Sequence, residues 1–348
     1  MSAQVNLISL ATASPPHVVL QDEVAQAARE VFGGRSREFD RLYPVFANSG
    51  IVRRQTIKPM AWYRENRSWP ERTEVYVEGA LDLFVAAAER ALARAGVASS
   101  EVDAVVTVSS TGIATPSLEA RAMARMGLRA DVARIPVFGL GCAGGVTGLS
   151  IATRLARAEP NSIVLMVCVE LCTLAFRLDE FSSANIVATA LFGDGAAACV
   201  VSGGGKGLRR IEAAGEHTWP ETLDIMGWRV DPHGFGVIFD RSIPAFAVAN
   251  IGAAMAGIVA KMGFTLEEVD RFVCHPGGAK VLEALELALG LNQGALDRER
   301  EVLADHGNMS APTVMFVLER VLADPPKPRL VLSALGPGFT ASCVSLAA

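Results

Sequence analysis

Several sequence features occur twice in this chain, in the same order. In each copy an acidic residue opens a strand pattern, a glycine-flanked turn begins a helix, a second apolar strand follows, and a glycine-rich turn ends the series. Such ordered repetition indicates an internal duplication, with halves at residues 1–205 and 206–348. The matched segments are Glu101–Val108 with Glu268–His275 (offset 167), Gly141–Gly144 with Gly307–Ser310 (offset 166), Ile163–Val169 with Leu330–Ala334, and Phe192–Gly195 with Leu335–Gly338.

Helical and strand patterns alternate in both halves. Apolar residues at helical spacing predict long helices over Tyr76–Ala95 and Ala245–Met262. Short apolar runs such as Ile163–Val169 predict strands that are buried on both faces. The alternation predicts an α/β fold in which helices cover a mixed sheet. If a pseudo-twofold axis relates the halves, Cys142 and Asn308 lie at equivalent helix N-termini that face one central site.

Composition limits the class of protein. Hydrophobic residues make up 51% of the chain and charged residues 20%, as in a globular protein. The net charge of −5 does not indicate a general nucleic-acid surface. We expect no membrane span and no secretory signal, because the apolar runs are short and no basic segment precedes one near the N-terminus. The six scattered cysteines favour free thiols in the cytoplasm over disulfides or a metal site.

One cysteine, Cys142, stands at a glycine-flanked turn between a strand pattern and a helix pattern. A thiol at a helix N-terminus lies near unpaired backbone N–H groups and the positive end of the helix dipole, which favour the thiolate. The alternative is that Cys142 is one more buried cysteine of the core, and the turn alone does not decide between the two.

Two further side chains complete a chemical set with Cys142. His275 follows a strand pattern in the second half, and Asn308 occupies the position that matches Cys142 there. A thiolate beside an imidazole is a nucleophile, and an imidazolium lowers the thiol pKa. The N–H groups of His275 and Asn308 can both donate to an oxygen where negative charge develops. The set therefore suits acyl transfer and stabilisation of a thioester enolate, without a metal.

The motifs around these residues resemble those of the chalcone synthase-like type III polyketide synthases of the thiolase superfamily, over nearly the whole chain. The resemblance implies an internally duplicated thiolase fold with five αβαβα layers, a homodimer, and no bound cofactor. It implies that Cys142 takes an acyl starter from an acyl-CoA, and that His275 and Asn308 promote decarboxylation of malonyl-CoA. The enolate then attacks the acyl-Cys142 thioester, and the cycle repeats. The motifs are Gly141-Cys142-Ala143-Gly144, Leu191-Phe192-Gly193-Asp194-Gly195, His275-Pro276-Gly277-Gly278, Gly307-Asn308-Met309-Ser310 and Gly336-Pro337-Gly338.

The resemblance also assigns pocket residues. Phe192 matches a gatekeeper phenylalanine of the family, although simple core packing is the alternative. A second gatekeeper falls on Val237, a cavity threonine on Ala175 and a cavity glycine on Trp228. These changes imply an apolar pocket of altered shape that suits an aliphatic starter. Ser310 matches a serine near the catalytic cysteine, with helix capping as the alternative.

The basic residues that the family uses at its CoA entrance match only in part. Arg41 is equivalent to one of them, and Pro44 and Asn48 replace two others. We expect Arg53 and Arg54 to compensate, with delivery of the starter by an acyl carrier protein as the alternative.

We predict an iterative condensing enzyme that makes a pyrone or resorcinol-type product. One alternative is a single-round beta-ketoacyl-ACP synthase III-like enzyme, although that family usually follows its histidine with Gln-Ala-Asn rather than Pro276-Gly277-Gly278. The other is a non-catalytic interaction protein with the same fold, which has no physical need for all three of Cys142, His275 and Asn308.

Overall fold

The computed structural model describes residues 4–34, 37–204 and 206–348. Its strands are β1 (Val5–Ala13), β2 (His17–Leu20), β3 (Arg53–Thr56), β4 (Ala104–Val108), β5 (Ala133–Val137), β6 (Ile163–Leu171), β7 (Asp194–Ser202), β8 (Arg209–Thr218), β9 (Met226–Asp231), β10 (Gly234–Phe239), β11 (Arg271–Cys274), β12 (Arg329–Gly336) and β13 (Thr340–Ala347). Its α-helices are α1 (Gln21–Phe32), α2 (Arg37–Leu42), α3 (Val45–Asn48), α4 (Trp69–Ala95), α5 (Leu118–Met126), α6 (Gly144–Ala158), α7 (Ser183–Leu191), α8 (Ile243–Met262), α9 (Ala279–Ala288), α10 (Asp297–His306) and α11 (Thr313–Ala323).

Most strands belong to one mixed sheet in the order β11-β12-β13-β8-β1-β7-β6-β4-β5. The same sequence of strand pairings occurs on both sides of the junction between β1 and β8. In the first half β1 pairs with β7 and β7 with β6, both antiparallel, and β6 pairs with β4 in parallel. In the second half β8, β13, β12 and β11 pair in the same way. Strand β5 extends the first half only, and the two half-sheets join through a three-residue ladder between β1 and β8.

The duplication extends to single hydrogen bonds. The Asp103 carboxylate accepts a bond from the N–H of Ile163 at 2.7 Å, and the Asp270 carboxylate accepts one from the N–H of Arg329 at 2.8 Å. Each bond fixes the start of a central strand against its parallel neighbour. Gly205, at the predicted boundary between the halves, lies outside the described residues.

The elements form five layers, in agreement with the fold class predicted from the sequence. Helices α4 and α5 cover the outer face of the first half-sheet, and α8 and α9 cover that of the second. Helices α6 and α11 lie between the two half-sheets and contact strands of both. The central core contains fully buried residues from both helices, among them Val146, Leu149, Val314 and Val317.

Several boundaries differ from the sequence prediction, and two of them have a clear local cause. Helix α4 begins at Trp69 rather than Tyr76, because the Ser68 Oγ accepts a bond from the N–H of Glu71 and the Glu71 carboxylate accepts one from the N–H of Ser68. This capping box starts the helix before its apolar pattern becomes visible. The strand predicted from Glu101 begins at Ala104, because residues Ser99–Glu101 form a 3-10 turn.

Within the described residues, helix α8 is long and apolar enough to cross a bilayer by length and composition alone, with a mean hydropathy of 1.8. An apolar helix of a protein core meets the same criteria. One face of α8 packs against β8, β13 and α9, and includes the buried residues Ile251, Met255 and Val259.

Candidate active site

Three loops bring Cys142, His275 and Asn308 to one small cavity of about 30 Å³. Cys142 lies in a 3-10 turn (Gly141–Ala143) that leads into α6, so its thiol is beside a helix N-terminus as predicted. His275 directly follows β11, and Asn308 follows α10. The Cys142 Sγ lies 4.0 Å from the Asn308 Oδ1. Much of the remaining wall is aliphatic and includes Met255, Leu285 and Leu335.

The turn that carries Cys142 requires glycine where it contacts the segment Gly336-Pro337-Gly338. Gly141 has a φ of +48°, and a Cβ on it would lie 2.7 Å from the Cδ of Pro337. A Cβ on Gly336 would lie 2.6 Å from both the Cβ of Ala143 and the carbonyl oxygen of Leu140. The segment 336–338 therefore supports the backbone around Cys142, and Gly338 reverses the chain behind it with a φ of +71°.

Hydrogen bonds at both ends fix the Asn308 carboxamide. Its Oδ1 accepts from the N–H of Ser310 at 2.8 Å, and its Nδ2 donates to the carbonyl of Gly277 at 3.2 Å. The Nδ2 carries a second hydrogen that remains for a ligand. Ser310 does not cap α11, whose N-cap is Pro312; its side chain instead acts to lower the pKa of the Cys142 thiol.

His275 is buried, and neither ring nitrogen has a hydrogen-bond partner among the described residues. Its backbone N–H donates to the carbonyl of Ser333 at 2.8 Å, which fixes the residue at the end of β11. Burial lowers the pKa of His275 to about 3, so the ring is neutral. A neutral imidazole with two free nitrogens can accept a proton at one and donate from the other.

Burial also raises the pKa of the Cys142 thiol to about 11, while its hydrogen bonds to Ser310 and Asn308 act in the opposite direction. The sequence suggested an imidazolium that lowers the thiol pKa. The buried geometry instead favours a neutral thiol and a neutral imidazole at rest, because neither charge is solvated. Proton transfer from Cys142 to His275 is then expected only when substrate is present.

The four predicted pocket residues come together in a cluster that lies beside the cavity of Cys142, His275 and Asn308 and does not line it; Phe239 belongs to both. Ala175 and Val237 share a buried cluster with Ala188, and Phe192 and Trp228 pack against it. Trp228 pairs with Val237 across the β9–β10 hairpin, and its ring centroid lies 6.3 Å from that of Phe192. The indole Nε1–H of Trp228 donates to the carbonyl of Ser110 at 2.8 Å, which fixes the β9–β10 hairpin against the loop after β4.

A larger cavity of about 870 Å³, called here the entrance cavity, lies beside the cavity of Cys142, His275 and Asn308 and shares Gly277, Val281 and Phe239 with it. Gly278 also lines the entrance cavity. Three cations line it, namely Arg41, Arg241 and Lys280; Arg41 forms an ion pair with Glu38 at 3.4 Å. Arg41 was expected at an entrance, whereas Arg241 and Lys280 were missed because they are distant in sequence from the predicted basic stretch.

Arg53 and Arg54 do not reach this entrance, which corrects the sequence expectation. Arg53 forms an ion pair with Asp305 at 3.0 Å. Arg54 is only 2% exposed, and its guanidinium donates to backbone carbonyls at the end of α7. Both residues lie on β3, which pairs with β2, and neither lines the entrance cavity.

Glu170 is a buried carboxyl group that the sequence analysis also missed. It accepts hydrogen bonds from the backbone N–H groups of Ser110 and Thr111 at 2.9 Å and from the Thr111 hydroxyl at 2.7 Å. Burial raises the pKa of Glu170 to about 7. A charged residue near the end of the apolar strand pattern Ile163–Val169 was the available signal.

Two family models cover most of the chain. Residues 55–205 match the N-terminal domain of chalcone and stilbene synthases, and residues 210–346 match the C-terminal domain.

Individual proteins agree with this family. The chain is 37% identical to a 1,3,6,8-tetrahydroxynaphthalene synthase of Streptomyces peucetius subsp. caesius, over 96% of this chain and 91% of the relative. It is 35% identical to a putative chalcone synthase of Bacillus subtilis, over 96% of both chains. The crystal structure of a 1,3,6,8-tetrahydroxynaphthalene synthase from Streptomyces coelicolor, a bacterial type III polyketide synthase, superimposes with a TM-score of 0.93 at 28% identity, over 98% of this chain and 99% of that one. The chain therefore belongs to the chalcone and stilbene synthase family and is a type III polyketide synthase, an acyltransferase.

Proposed function

We propose that this enzyme loads an aliphatic acyl starter onto Cys142 and extends it repeatedly with malonyl-CoA, giving a pyrone or resorcinol-type product. The observation that carries the proposal is one cavity with aliphatic walls in which a thiol, a fixed carboxamide and an imidazole meet, the imidazole having no hydrogen-bond partner among the described residues. No further group is required for the chemistry described below.

Loading begins when the Cys142 sulfur attacks the thioester carbonyl of the acyl-CoA. His275 accepts the thiol proton, because its ring is neutral and neither nitrogen has a partner in the part of the chain that the structure describes. The tetrahedral intermediate collapses, the bond between the acyl carbon and the CoA sulfur breaks, and the proton leaves with CoA. Cys142 then carries the acyl group as a thioester.

Extension begins when malonyl-CoA places its thioester oxygen between His275 and Asn308. The second Nδ2 hydrogen of Asn308 and an N–H of His275 donate to this oxygen as CO₂ departs and the enolate forms. The enolate carbon attacks the acyl-Cys142 carbonyl, a carbon–carbon bond forms, and the Cys142 sulfur leaves. Reloading of the lengthened chain onto Cys142 allows the next round.

The entrance cavity suits the phosphates of CoA. Three cations, Arg41, Arg241 and Lys280, outnumber the two carboxylates of Glu38 and Asp240 in its lining, and it meets the cavity of Cys142 at Gly277 and Val281. Cationic side chains beside the N-terminus of α9 favour a polyanion. A CoA thioester that lies between these cations and Cys142 fits this arrangement.

The pocket walls support the aliphatic starter. Ala175 and Val237 present small apolar side chains where the family has a threonine and a phenylalanine by the resemblance given above. Trp228 lies directly across the β9–β10 hairpin from Val237, packs against the same cluster, and is held by its bond to Ser110. A flexible alkyl chain fits a narrow apolar space with fewer constraints than a hydroxycinnamoyl ring.

The test is mass spectrometry of the products that the purified enzyme makes from malonyl-CoA and a panel of acyl-CoA starters, from acetyl to long-chain. We expect triketide or tetraketide pyrones or resorcinols, with aliphatic starters preferred over hydroxycinnamoyl-CoA. A beta-keto thioester from a single extension would support the single-round alternative. A hydroxylated naphthalene, the product type in the relatives' names, would contradict the proposal that the starter is aliphatic. No acyl group on Cys142 with either CoA-bound or carrier-bound starters would contradict the catalytic proposal.

A further inference from the structure

Arg54 is a buried cation that the proposed chemistry does not use. Its Nη1 donates to the carbonyls of Thr189 at 3.0 Å and Phe192 at 2.7 Å, and its Nη2 donates to the carbonyl of Ala190 at 2.7 Å. A further bond joins Nη2 to the Gln21 side chain. One guanidinium thus bonds three carbonyl groups at the end of α7.

These carbonyls belong to the chain segment that supports Asn308. The backbone N–H of Asn308 donates to the carbonyl of Leu191 at 2.7 Å, and the N–H of Gly193 donates to the carbonyl of Asn308 at 2.9 Å. Phe192 and Asn308 therefore pair as a parallel β-bridge. Arg54 holds the carbonyls on either side of Leu191, so it fixes the strand segment against which Asn308 is set.

We infer that Arg54 is a positioning residue, which holds Phe192 and Asn308 in place through the backbone at residues 189–193. It contacts neither Cys142 nor His275 in the structure. Displacement of Asn308 would weaken the donation to the malonyl thioester oxygen, whereas loading of Cys142 would continue. This inference rests on the role proposed for Asn308.

The geometry requires a guanidinium rather than any cation. Its planar fork reaches acceptors on two sides at once, whereas an ammonium is a compact point charge. A lysine at position 54 retains the charge and cannot satisfy three carbonyls and Gln21 together. Asp194 lies nearby and accepts bonds from the N–H groups of Ile57 and Thr173, both at 2.8 Å, which fixes the following residues separately.

The test compares Arg54→Lys with Arg209→Lys. Arg209 is a similarly buried arginine that donates to a backbone carbonyl, that of Lys327, at the far end of the central strands. Acylation of Cys142 is followed by intact-protein mass spectrometry, and decarboxylation of malonyl-CoA is measured separately. We expect Arg54→Lys to load at the wild-type rate and to decarboxylate about 10-fold more slowly or worse, since a misplacement of about 1 Å can cost 100-fold. Arg209→Lys should change neither rate.

Hydrogen exchange gives a readout that does not depend on activity. In Arg54→Lys, the amides of Gly193 and Asn308 should exchange faster, and those of residues 144–150 should be unchanged. A folded Arg54→Lys enzyme with unchanged rates and exchange, or with both rates lowered in proportion, would overturn the inference. If Arg54→Lys does not fold, Gln21→Leu, which removes one acceptor of the guanidinium, should show the same split more weakly. A wild-type enzyme that does not decarboxylate malonyl-CoA would refute the proposed function, and the exchange result would still decide the role of Arg54.

Discussion

At the scale of single residues, His275 combines two properties that oppose each other. It is buried where protonation is costly, and it lines the same cavity as Cys142, whose proton we propose that it receives. Burial lowers its pKa to about 3, and no described residue pairs with either nitrogen. The site therefore keeps a base whose charged form is destabilised until a substrate supplies compensating interactions.

The acid sensitivity of folding should depend on this residue. The folded-state pKa of His275 lies below the unfolded value of about 6.5, so the unfolded chain binds the proton first and stability falls as pH drops from 6.5 towards 3. Between pH 7.5 and pH 5, the wild type should lose about 2 kcal/mol more than His275→Gln. Urea unfolding at both pH values measures this difference. Equal losses would show that His275 is solvated or charged in the folded enzyme.

The separate roles that we propose for Cys142 and Asn308 predict separate losses. Cys142→Ala should abolish acyl loading and elongation and retain malonyl-CoA decarboxylation, because the oxyanion donors remain. Asn308→Ala should keep loading and lose decarboxylation by about 100- to 1,000-fold, the usual effect of removing such a donor. Single-turnover assays with each substrate distinguish the two. Normal decarboxylation by Asn308→Ala would refute the proposal that Asn308 stabilises the enolate.

At the scale of elements, the β9–β10 hairpin forms a wall separate from the main sheet. Asp231 anchors it through an ion pair with Arg177 at 2.8 Å, and Trp228 anchors it through the bond to Ser110. Arg177 is 7% exposed, so this pair is better shielded than a surface ion pair. The hairpin thereby holds Trp228 and Val237 in fixed positions beside Phe192.

Removal of the indole should widen the pocket. Trp228→Ala should shift the preference for starters towards longer or bulkier acyl-CoA by about 10-fold in the ratio of kcat/KM values, as a change in pocket size usually does. Trp219→Ala is the matched control, because that indole packs against Phe246 and Phe339 rather than in the pocket cluster. An unchanged starter ratio in Trp228→Ala, or the same shift in both variants, would contradict the placement of Trp228.

At the scale of the whole molecule, the two halves share one core. Helices α6 and α11 contact strands of both half-sheets, although only three residue pairs join β1 to β8. Buried residues of the two helices and of both half-sheets belong to the same cluster. The hydrophobic burial that stabilises each half is therefore supplied in part by the other.

A chain truncated to residues 1–205 should not fold cooperatively, because α6 would lose the strands that cover its second face. The full chain should unfold in one transition. Circular dichroism during thermal unfolding of both proteins checks this expectation. A sharp transition in the truncated chain would show that the halves are independent domains. Light scattering of the full chain would also test the proposed homodimer against the chain mass of 36.7 kDa.

The sequence determined much of this protein by local rules. Apolar patterns located helices α4 and α8 and strands β4, β6, β11 and β12, and the repeated segments predicted a duplicated fold with Cys142 and Asn308 at corresponding turns. Those features depend on residues close together in the chain. The motif residues also sufficed to predict the family, which the comparisons confirm.

Tertiary structure decided what depends on distant residues. Arg54 was expected at a phosphate entrance and instead bonds backbone carbonyls at the end of α7. Arg241 and Lys280, from other parts of the chain, line the entrance cavity. The charge states of Cys142 and His275 also depend on burial, which sequence neighbours do not set. The sequence specifies the chemical type of each side chain, but the solvation and the partners of that side chain are set only when distant segments pack together.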